Sequence, residues 1–216
     1  MHVIAVFDFL SKAVEWALTL YLWMMIISIL LTWVNPDPGN PIVAFLSRLT
    51  APLWAWANRL LPARLRLFSA YIALLFILFL IEFLPGALRV LGMFAGGVLS
   101  ADGLPAPLAG FFLRGVAIVL YNFLYFLILI LVVWFAVTLV NPALQNPVVR
   151  TLFVLVDPII TPLQRRLPRT RVDFSPLLAA AVFLLINWFA VTALMRYSGE
   201  LVQTSHAVPA PAERRM

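Results

Sequence analysis

The chain has 216 residues, of which 64% are hydrophobic and 11% charged, and its formal net charge is +6. Soluble domains carry about 25% charged residues, and a soluble fold of this size could not cover so much apolar surface. Cysteine is absent, which excludes disulfides, thiolate metal sites and cysteine nucleophiles. His2 and His206 are the only histidines and stand near the chain ends, so no span offers a histidine ligand for haem. The composition therefore predicts an integral membrane protein without a cofactor.

The positive charge indicates which partners the chain can have. Nearly all of its 15 Lys and Arg residues are arginines that lie between the apolar runs. This pattern favours anionic lipid headgroups, whereas a nucleic-acid site would need basic residues gathered on a folded polar surface. We therefore expect the bilayer, its anionic headgroups and a further membrane protein as partners, and no nucleic acid. A homo-oligomer is compatible with the sequence.

Four apolar runs are long enough to cross a bilayer, which takes roughly 20 mostly apolar residues. In chain order they cover about 16–34, 69–88, 115–140 and 176–197. The first run is too long for a signal peptide and no small-residue cleavage site follows it, so we expect it to remain as a helix. The sequence therefore predicts an all-α membrane protein with about four transmembrane helices.

The chain also contains an internal repeat, because a shift of 106 residues aligns it with itself without a gap. Each copy predicts a helix, an interfacial helix and a second helix. Two crossings return the chain to its starting side, so the two repeats should have parallel orientation. The predicted organisation is a first repeat over 1–84, a connector with a short amphipathic segment over 85–114, a second repeat over 115–197 and a disordered tail over 198–216.

The repeated motif reads N-P-x-x-x-N-P and precedes an amphipathic stretch. The first Asn-Pro pair should end a helix, because the residue before proline avoids the helical region. The second pair should start one, with Asn as N-cap and Pro as the first helical residue. The motif residues, with the later prolines, arginines and the start of the fourth run, are Asn35, Pro36, Asn40, Pro41, Pro52, Arg59, Asn141, Pro142, Asn146, Pro147, Pro158, Arg165, Ser175 and Pro176.

The stretch after the motif predicts a helix that lies in the plane of the lipid headgroups. In the first copy one apolar stripe is formed by Ile42, Phe45, Leu46, Leu49, Leu53, Trp56 and Leu60, with Ser47, Ala51 and Asn58 opposite. Pro52 and Pro158 lie within the pattern and should kink or split the helix. Two interpretations stay open: the motif is a turn that docks a helix on lipid, or it also binds a partner.

These motifs resemble those of the YggT family, which includes the bacterial YlmG proteins. The family's mark is V-N-P-D-P-x-N-P, then an amphipathic helix, a proline kink, basic residues and D-x-S-P before the next span. The chain supplies these at 34–41 and 50–52 in repeat one and at 140–142, 146–147, 157–158 and 173–176 in repeat two. Repeat one departs from the pattern at Leu67 and Ala70, where repeat two has Asp173 and Pro176. The resemblance implies a role in cell division, osmotic tolerance or membrane-complex assembly, and no enzyme activity.

Few polar side chains lie inside the predicted spans. Glu82 is the only acid there, and an intramembrane carboxylate is a functional candidate by default. The alternative is that it lies near the far interface and pairs with Arg89 or Arg114. Asn122 and Asn187 are the other strongly polar residues, and such residues more often join helices than bind substrate.

The sequence therefore favours a non-enzymatic membrane scaffold or assembly factor, with a transporter or channel component in osmotic or ion homeostasis as the alternative. A conducting path normally has a more polar lining than these three residues provide. The two motif loops carry nine arginines against six basic residues on the other side. This bias predicts cytoplasmic motif loops in a multi-pass protein of the bacterial inner membrane.

Overall fold

The computed structural model describes residues 2–34, 37, 39–140, 147–165 and 173–204. Within these ranges the chain is helical and contains no strand. The helices are α1 (His2–Val34), α2 (Pro41–Leu60), α3 (Ser69–Ala95), α4 (Pro105–Val140), α5 (Pro147–Gln164), α6 (Ser175–Ile186) and α7 (Thr192–Thr204). A π-helical turn, Asn187–Val191, joins α6 to α7. Short 3₁₀ segments cover Ala63–Phe68 and Ala101–Gly103.

Four stretches are long and apolar enough to cross a membrane. They are His2–Leu31, Ser69–Ala95, Ala101–Leu139 and Ser175–Gln203. The prediction of an all-α membrane protein with four spans is therefore confirmed. The helix boundaries also follow the repeat, since the ends of α1 and α4, the starts of α2 and α5, and the starts of α3 and α6 are each 106 residues apart.

The described chain divides into two compact units. The first comprises Met1–Val119 and Leu194–Met216, and the second comprises Leu120–Ala193. The boundary therefore falls inside α4 and α7, and not in the predicted connector.

In the first unit, α1 packs antiparallel against α3. Close approach of the two backbones depends on glycine, because a Cβ added at Gly92 would lie 2.5 Å from Phe7 Cβ and one at Gly96 would lie 2.6 Å from Ile4 Cγ1. Small residues four positions apart are a common device for such approach in membranes. Farther along α1, Met25 is fully buried in a small core that also joins α2 and α3.

The second unit has a larger apolar core. It is built on Leu131 and Trp134 of α4, Val156 and Ile160 of α5, and the small residue Ala180 of α6. Leu131 is fully buried, and Val156 is nearly so. Among the described residues, the same three-helix element thus has a larger apolar core in the second repeat than in the first.

Several predicted boundaries differ from the structure. α3 continues through Pro85 to Ala95 and α4 begins at Pro105, so the connector shortens to 96–104. α3 ends in a Schellman motif, in which Gly97 has a φ of 72° and Val98 N–H donates to the Met93 carbonyl. The first residues of the predicted tail are helical, because α7 runs to Thr204. The remainder of that tail, 205–216, lies outside the described residues.

Tertiary contact explains why the start of the tail is helical. A Cβ at Gly110 of α4 would lie 2.8 Å from Val202 Cγ2 and 2.9 Å from the Ser198 carbonyl oxygen of α7. Tertiary packing of this kind, more than intrinsic propensity, is what stabilises most helices in proteins. Neither Pro52 nor Pro158 splits its helix, so a kink is the one of the two predicted outcomes that remains.

Candidate functional site

The start of α2 forms as the motif predicts. Asn40 has extended backbone angles, its Oδ1 accepts a hydrogen bond of 2.9 Å from Ile42 N–H, and Pro41 is the first helical residue. A tight turn leads into this cap, because Asp37 Oδ1 accepts from Gly39 N–H and the Asp37 carbonyl accepts from Asn40 N–H. Asn caps a helix by satisfying one of its free N–H groups. The remaining Asn-Pro residues of the motif, Asn35, Pro36, Asn141, Pro142 and Asn146, lie outside the described residues.

α2 presents three different faces. One face is buried on the first unit, through Leu46, Thr50 and Ala57. A second face is apolar and exposed, and in a bilayer it would face lipid: Ile42, Phe45 and Leu60 are each more than half exposed. The third face carries Arg48 and Arg59, both exposed. The predicted apolar stripe is therefore mostly the lipid face, and the helix docks through smaller residues on its flank.

A hydrogen bond from α1 supports α2 next to its internal proline. The Tyr21 hydroxyl donates to the Leu49 carbonyl at 2.9 Å, one turn before Pro52. A proline inside a helix removes one backbone donor and disturbs the preceding turn. Tyr21 therefore binds a backbone acceptor in the turn that precedes the proline, and this contact ties α2 to the first span.

In the second repeat, α5 begins at Pro147 and contains Pro158, which is exposed. Its buried face is formed by Val149, Val156 and Ile160. Thr161 Oγ1 donates to Asp157 Oδ1 at 2.7 Å, so the carboxylate on this helix has a local partner. Arg165 follows the helix and is exposed, as Arg59 is at the end of α2.

The start of α6 is capped by Asp173, which lies two residues before the helix. Ser175 and Pro176 are buried at the helix start, but Asp173 Oδ1 accepts the hydrogen bond, from Ser175 N–H at 2.9 Å. Asp173 Oδ2 also accepts from Gln164 Nε2 of α5. Burial alone would raise the pKa of the Asp173 carboxyl, but the hydrogen bonds from Ser175 and Gln164 outweigh it, and the pKa lies below its usual value.

Glu82, the intramembrane acid, pairs with one of the two arginines considered. Its Oε2 lies 3.1 Å from Arg114 Nε of α4. The Glu82 side chain is 28% exposed and that of Arg114 is 53% exposed, so the pair is partly shielded. The carboxylate therefore links α3 to the start of α4.

A second polar group, which sequence reasoning missed, links α1 to α3. The Ser11 hydroxyl is fully buried and donates to the Pro85 carbonyl at 3.0 Å, and it accepts from Arg89 Nε at 3.0 Å. Arg89 also pairs with Glu15 Oε2 at 3.5 Å. Sequence reasoning could not find this contact, because its hydrogen bonds join residues that are 74 and 78 positions apart in the chain.

The two intramembrane asparagines occupy different settings. Asn122 is half-buried in α4. Asn187 is buried and opens the π-helical turn, and its Nδ2 has no hydrogen-bond partner among the described residues. A π-turn is a common local irregularity at functional positions.

Among the described residues, no group of three or more His, Asp or Glu side chains could hold a metal ion.

A pocket between α1 and α2 is the other feature that sequence reasoning missed. It has a volume of about 290 Å³ and is lined mainly by apolar atoms. Ser28 and Trp54 are among the lining residues, and each has a fully buried polar atom, Oγ and Nε1, without a hydrogen-bond partner among the described residues. Ser28 lies inside an apolar run, where a lone serine is too common to serve as a signal.

The comparisons with known proteins agree with the repeat. The model of the CCB3/YggT family matches residues 7–92 and 113–194, and the two matches begin 106 residues apart. No curated protein matches the chain, and no solved structure matches it.

Proposed function

The chain belongs to the CCB3/YggT family, and from this premise we propose that it is a non-enzymatic membrane scaffold or assembly factor. The process in which it acts is cell division or the biogenesis of a membrane complex, in a bacterial inner membrane. The observation that carries the proposal is the separation of faces on α2. One face of α2 packs on the rest of the first unit, and a second, apolar face suits contact with lipid. The third face carries Arg48 and Arg59, which are exposed and therefore accessible to a partner or to lipid headgroups.

The polar groups in the first unit support binding over conduction. Glu82 pairs with Arg114, and Glu15 pairs with Arg89, so these acids are engaged in holding helices together. An ion path needs polar groups that are free to replace the hydration shell of the ion. Charged side chains that bind each other across helices serve that purpose poorly.

The outward face of α2 lies in the cytoplasm in this proposal, because the motif loops carry most of the arginines. Photoactivatable side chains placed at Arg48 and Arg59 in living cells test the partner. We expect discrete protein adducts from these positions, and none from the lipid-face controls Ile42 and Leu60. Equal adduct patterns from both faces would contradict the assignment of the basic face.

A second measurement separates the scaffold from a transporter or channel component. The purified chain is reconstituted into proteoliposomes without any other protein, and the flux of potassium, sodium and protons is followed. We expect no flux above that of empty vesicles. Selective flux that is abolished by Glu82→Gln would overturn the scaffold proposal.

A further inference from the structure

The first unit contains another pocket, at the end of α1 and α3 that lies away from the motif loop. It forms where these helices meet α4 and α7, and its volume is about 370 Å³. Five of its seven lining residues are apolar, and the other two are Asp8 of α1 and Arg89 of α3. We call it the Asp8/Arg89 pocket. Both charged side chains are open to a ligand, because Asp8 is exposed and the Arg89 side chain is 43% exposed.

The two charges of this pocket line the same space but do not pair with each other. Among the described residues, no ion pair or hydrogen bond engages the Asp8 carboxylate. Arg89 Nε donates to Ser11 Oγ at 3.0 Å, and Arg89 Nη2 lies 3.5 Å from Glu15 Oε2. A guanidinium has five N–H donors, so these contacts leave three of them for a ligand. The pocket therefore presents a free anion beside a partly free cation, which is the arrangement that binds a zwitterion.

Arg89 lies at the depth of the lipid headgroups. α3 begins at Ser69, and the 20 residues from there to Arg89 span about 30 Å, which is the thickness of the hydrocarbon core. Glu15, the partner of Arg89, is followed by Trp16, which is 71% exposed. Tryptophan is enriched at membrane–water interfaces. The pocket therefore lies among the phosphates of the leaflet opposite the motif loops.

The order of the two charges matches one kind of headgroup. Asp8 precedes Ser11, the residue that contacts Arg89, by three positions, so it lies on the same face of α1 and about 4.5 Å farther from the hydrocarbon. From the bilayer outward, the pocket thus presents first a cation and then an anion. Phosphoethanolamine has the complementary order, because its phosphate adjoins the glycerol and its ammonium follows two carbons farther out.

The balance of charge disfavours a purely anionic headgroup. Arg89 is accompanied by two carboxylates, those of Asp8 and Glu15, so the three groups together are negative. A phosphate without an ammonium, as in phosphatidylglycerol, would gain one attraction and meet two repulsions. A primary ammonium instead donates to the Asp8 carboxylate, and charge-assisted hydrogen bonds of this type are among the strong ones. The apolar part of the lining suits the glycerol and the first methylenes of a lipid.

The second repeat shows that helix pairing does not require these charges. The positions 106 residues after Asp8 and Arg89 hold Arg114 and Met195. The first and last helices of that repeat are nevertheless in close contact, at Gly110. The carboxylate and the guanidinium that line the pocket thus belong to the first repeat alone, and the packing that both repeats share does not explain them.

We propose that the Asp8/Arg89 pocket binds the headgroup of one phosphatidylethanolamine molecule of the surrounding bilayer. The phosphate accepts hydrogen bonds from the free N–H groups of Arg89, and the ammonium donates to the Asp8 carboxylate. The glycerol and the start of the acyl chains lie against the apolar lining, which includes Met93 and Phe111. The lipid belongs to the leaflet opposite the motif loops, and the site does not depend on the scaffold function.

The first test uses the full-length protein in micelles of a maltoside detergent. The probe is a phosphatidylethanolamine that carries a diazirine near the start of one acyl chain, and labelled residues are identified by mass spectrometry. Unlabelled lipids with the same acyl chains then compete with the probe. We expect labelling of α1, α3 and α4 around the pocket. Phosphatidylethanolamine should compete about threefold to tenfold better than phosphatidylglycerol, or than phosphatidylcholine, whose quaternary ammonium has no N–H to donate.

Charge reversal at Asp8 tests the assignment of the ammonium. In Asp8→Arg the pocket carries two cations, so the preference should switch from phosphatidylethanolamine to phosphatidylglycerol. Asp8 is exposed, and no described ion pair depends on it, so this variant should fold. The matched control is Asp102→Arg, which changes an exposed acid that does not line the pocket. It should keep the preference of the wild type.

Removal of the cation tests the assignment of the phosphate. Arg89→Gln should lower labelling by the probe about threefold to tenfold. The matched control Arg196→Gln, which changes an exposed arginine outside the pocket, should leave labelling unchanged. If Arg89→Gln does not fold, because Arg89 also contacts Ser11 and Glu15, the Asp8 variant decides the question by its change of lipid preference.

Three results would overturn the proposal. The first is equal competition by the three phospholipids in the wild-type protein. The second is an Asp8→Arg variant that still prefers phosphatidylethanolamine. The third is displacement of the probe by water-soluble glycerophosphoethanolamine as effectively as by the lipid, which would assign the pocket to a soluble zwitterion.

Discussion

Adding one methyl group at Gly92 tests how closely α1 and α3 approach. In Gly92→Ala the new Cβ would lie 2.5 Å from Phe7 Cβ, which is bound directly to the backbone and cannot rotate away. The helices must therefore move apart. Gly199→Ala is the matched control, because Gly199 is also helical and nothing lies within 4 Å of its added Cβ.

The expected magnitudes follow from two opposing effects. Replacing glycine by alanine in a helix stabilises it by about 0.5–1 kcal/mol, and this gain applies to both variants. Overpacking a tight contact costs about 1–3 kcal/mol and applies only to Gly92→Ala. The difference between the two variants isolates the overpacking, so Gly92→Ala should be less stable than Gly199→Ala by about 1–3 kcal/mol.

The assay is thermal unfolding of the detergent-purified protein, followed by loss of the monodisperse fraction. For a chain of this size, 1 kcal/mol corresponds to about 2–4 °C, so the midpoints of the two variants should differ by about 2–12 °C. Gly96→Ala should fall between them, because the Ile4 atoms near its added Cβ belong to a flexible side chain. Equal midpoints for Gly92→Ala and Gly199→Ala would refute the close approach of α1 and α3.

Three further predictions concern polar residues. Asn40→Ala should lower the monodisperse yield more than Arg59→Ala does, because α2 has a single N-cap, whereas several arginines share the attraction to headgroups. A lower yield for Arg59→Ala than for Asn40→Ala would contradict this prediction. Glu82→Gln should shift the thermal midpoint little, since its pair with Arg114 is partly exposed; loss of folding would assign it a larger role. The wild type should lose stability relative to Asp173→Asn as the pH falls below about 3.8. A carboxyl whose pKa is lowered by folding stabilises the fold while it is ionised, and this contribution is lost as the carboxyl is protonated. Thermal midpoints of the two proteins that fall in parallel with pH would exclude this contribution.

The fold followed from the sequence because lipid imposes simple constraints. A span needs an apolar run of sufficient length, and each of the four runs became part of a helix. The Asn40 cap could be predicted for a similar reason, since its hydrogen bond joins residues two positions apart. Local chemistry of this kind does not depend on how distant segments meet.

The features that could not be predicted depend on which helix faces which. Nothing near Ser11 indicated that its hydroxyl would meet Pro85 and Arg89, which are distant in the chain. The docking face of α2 was not predicted, because Thr50 and Ala57 are small and a pattern search gives weight to large apolar residues. In membranes, small residues are often the ones that bring helices together.

The two repeats show that close approach between paired helices matters more than which helix carries the glycine. In the first repeat the glycines lie on α3, where Gly92 and Gly96 face Phe7 and Ile4 of α1. The residue equivalent to Ile4 is Gly110 of α4, and those equivalent to the two glycines are Ser198 and Val202 of α7. These equivalents are also in contact, with Gly110 now the small partner. When the small residue moves to the facing helix and the summed volume of the contacting side chains is kept, the packing of the two helices is preserved. The pairing of the first and last helix of each repeat therefore survived the divergence that changed both of its sequences.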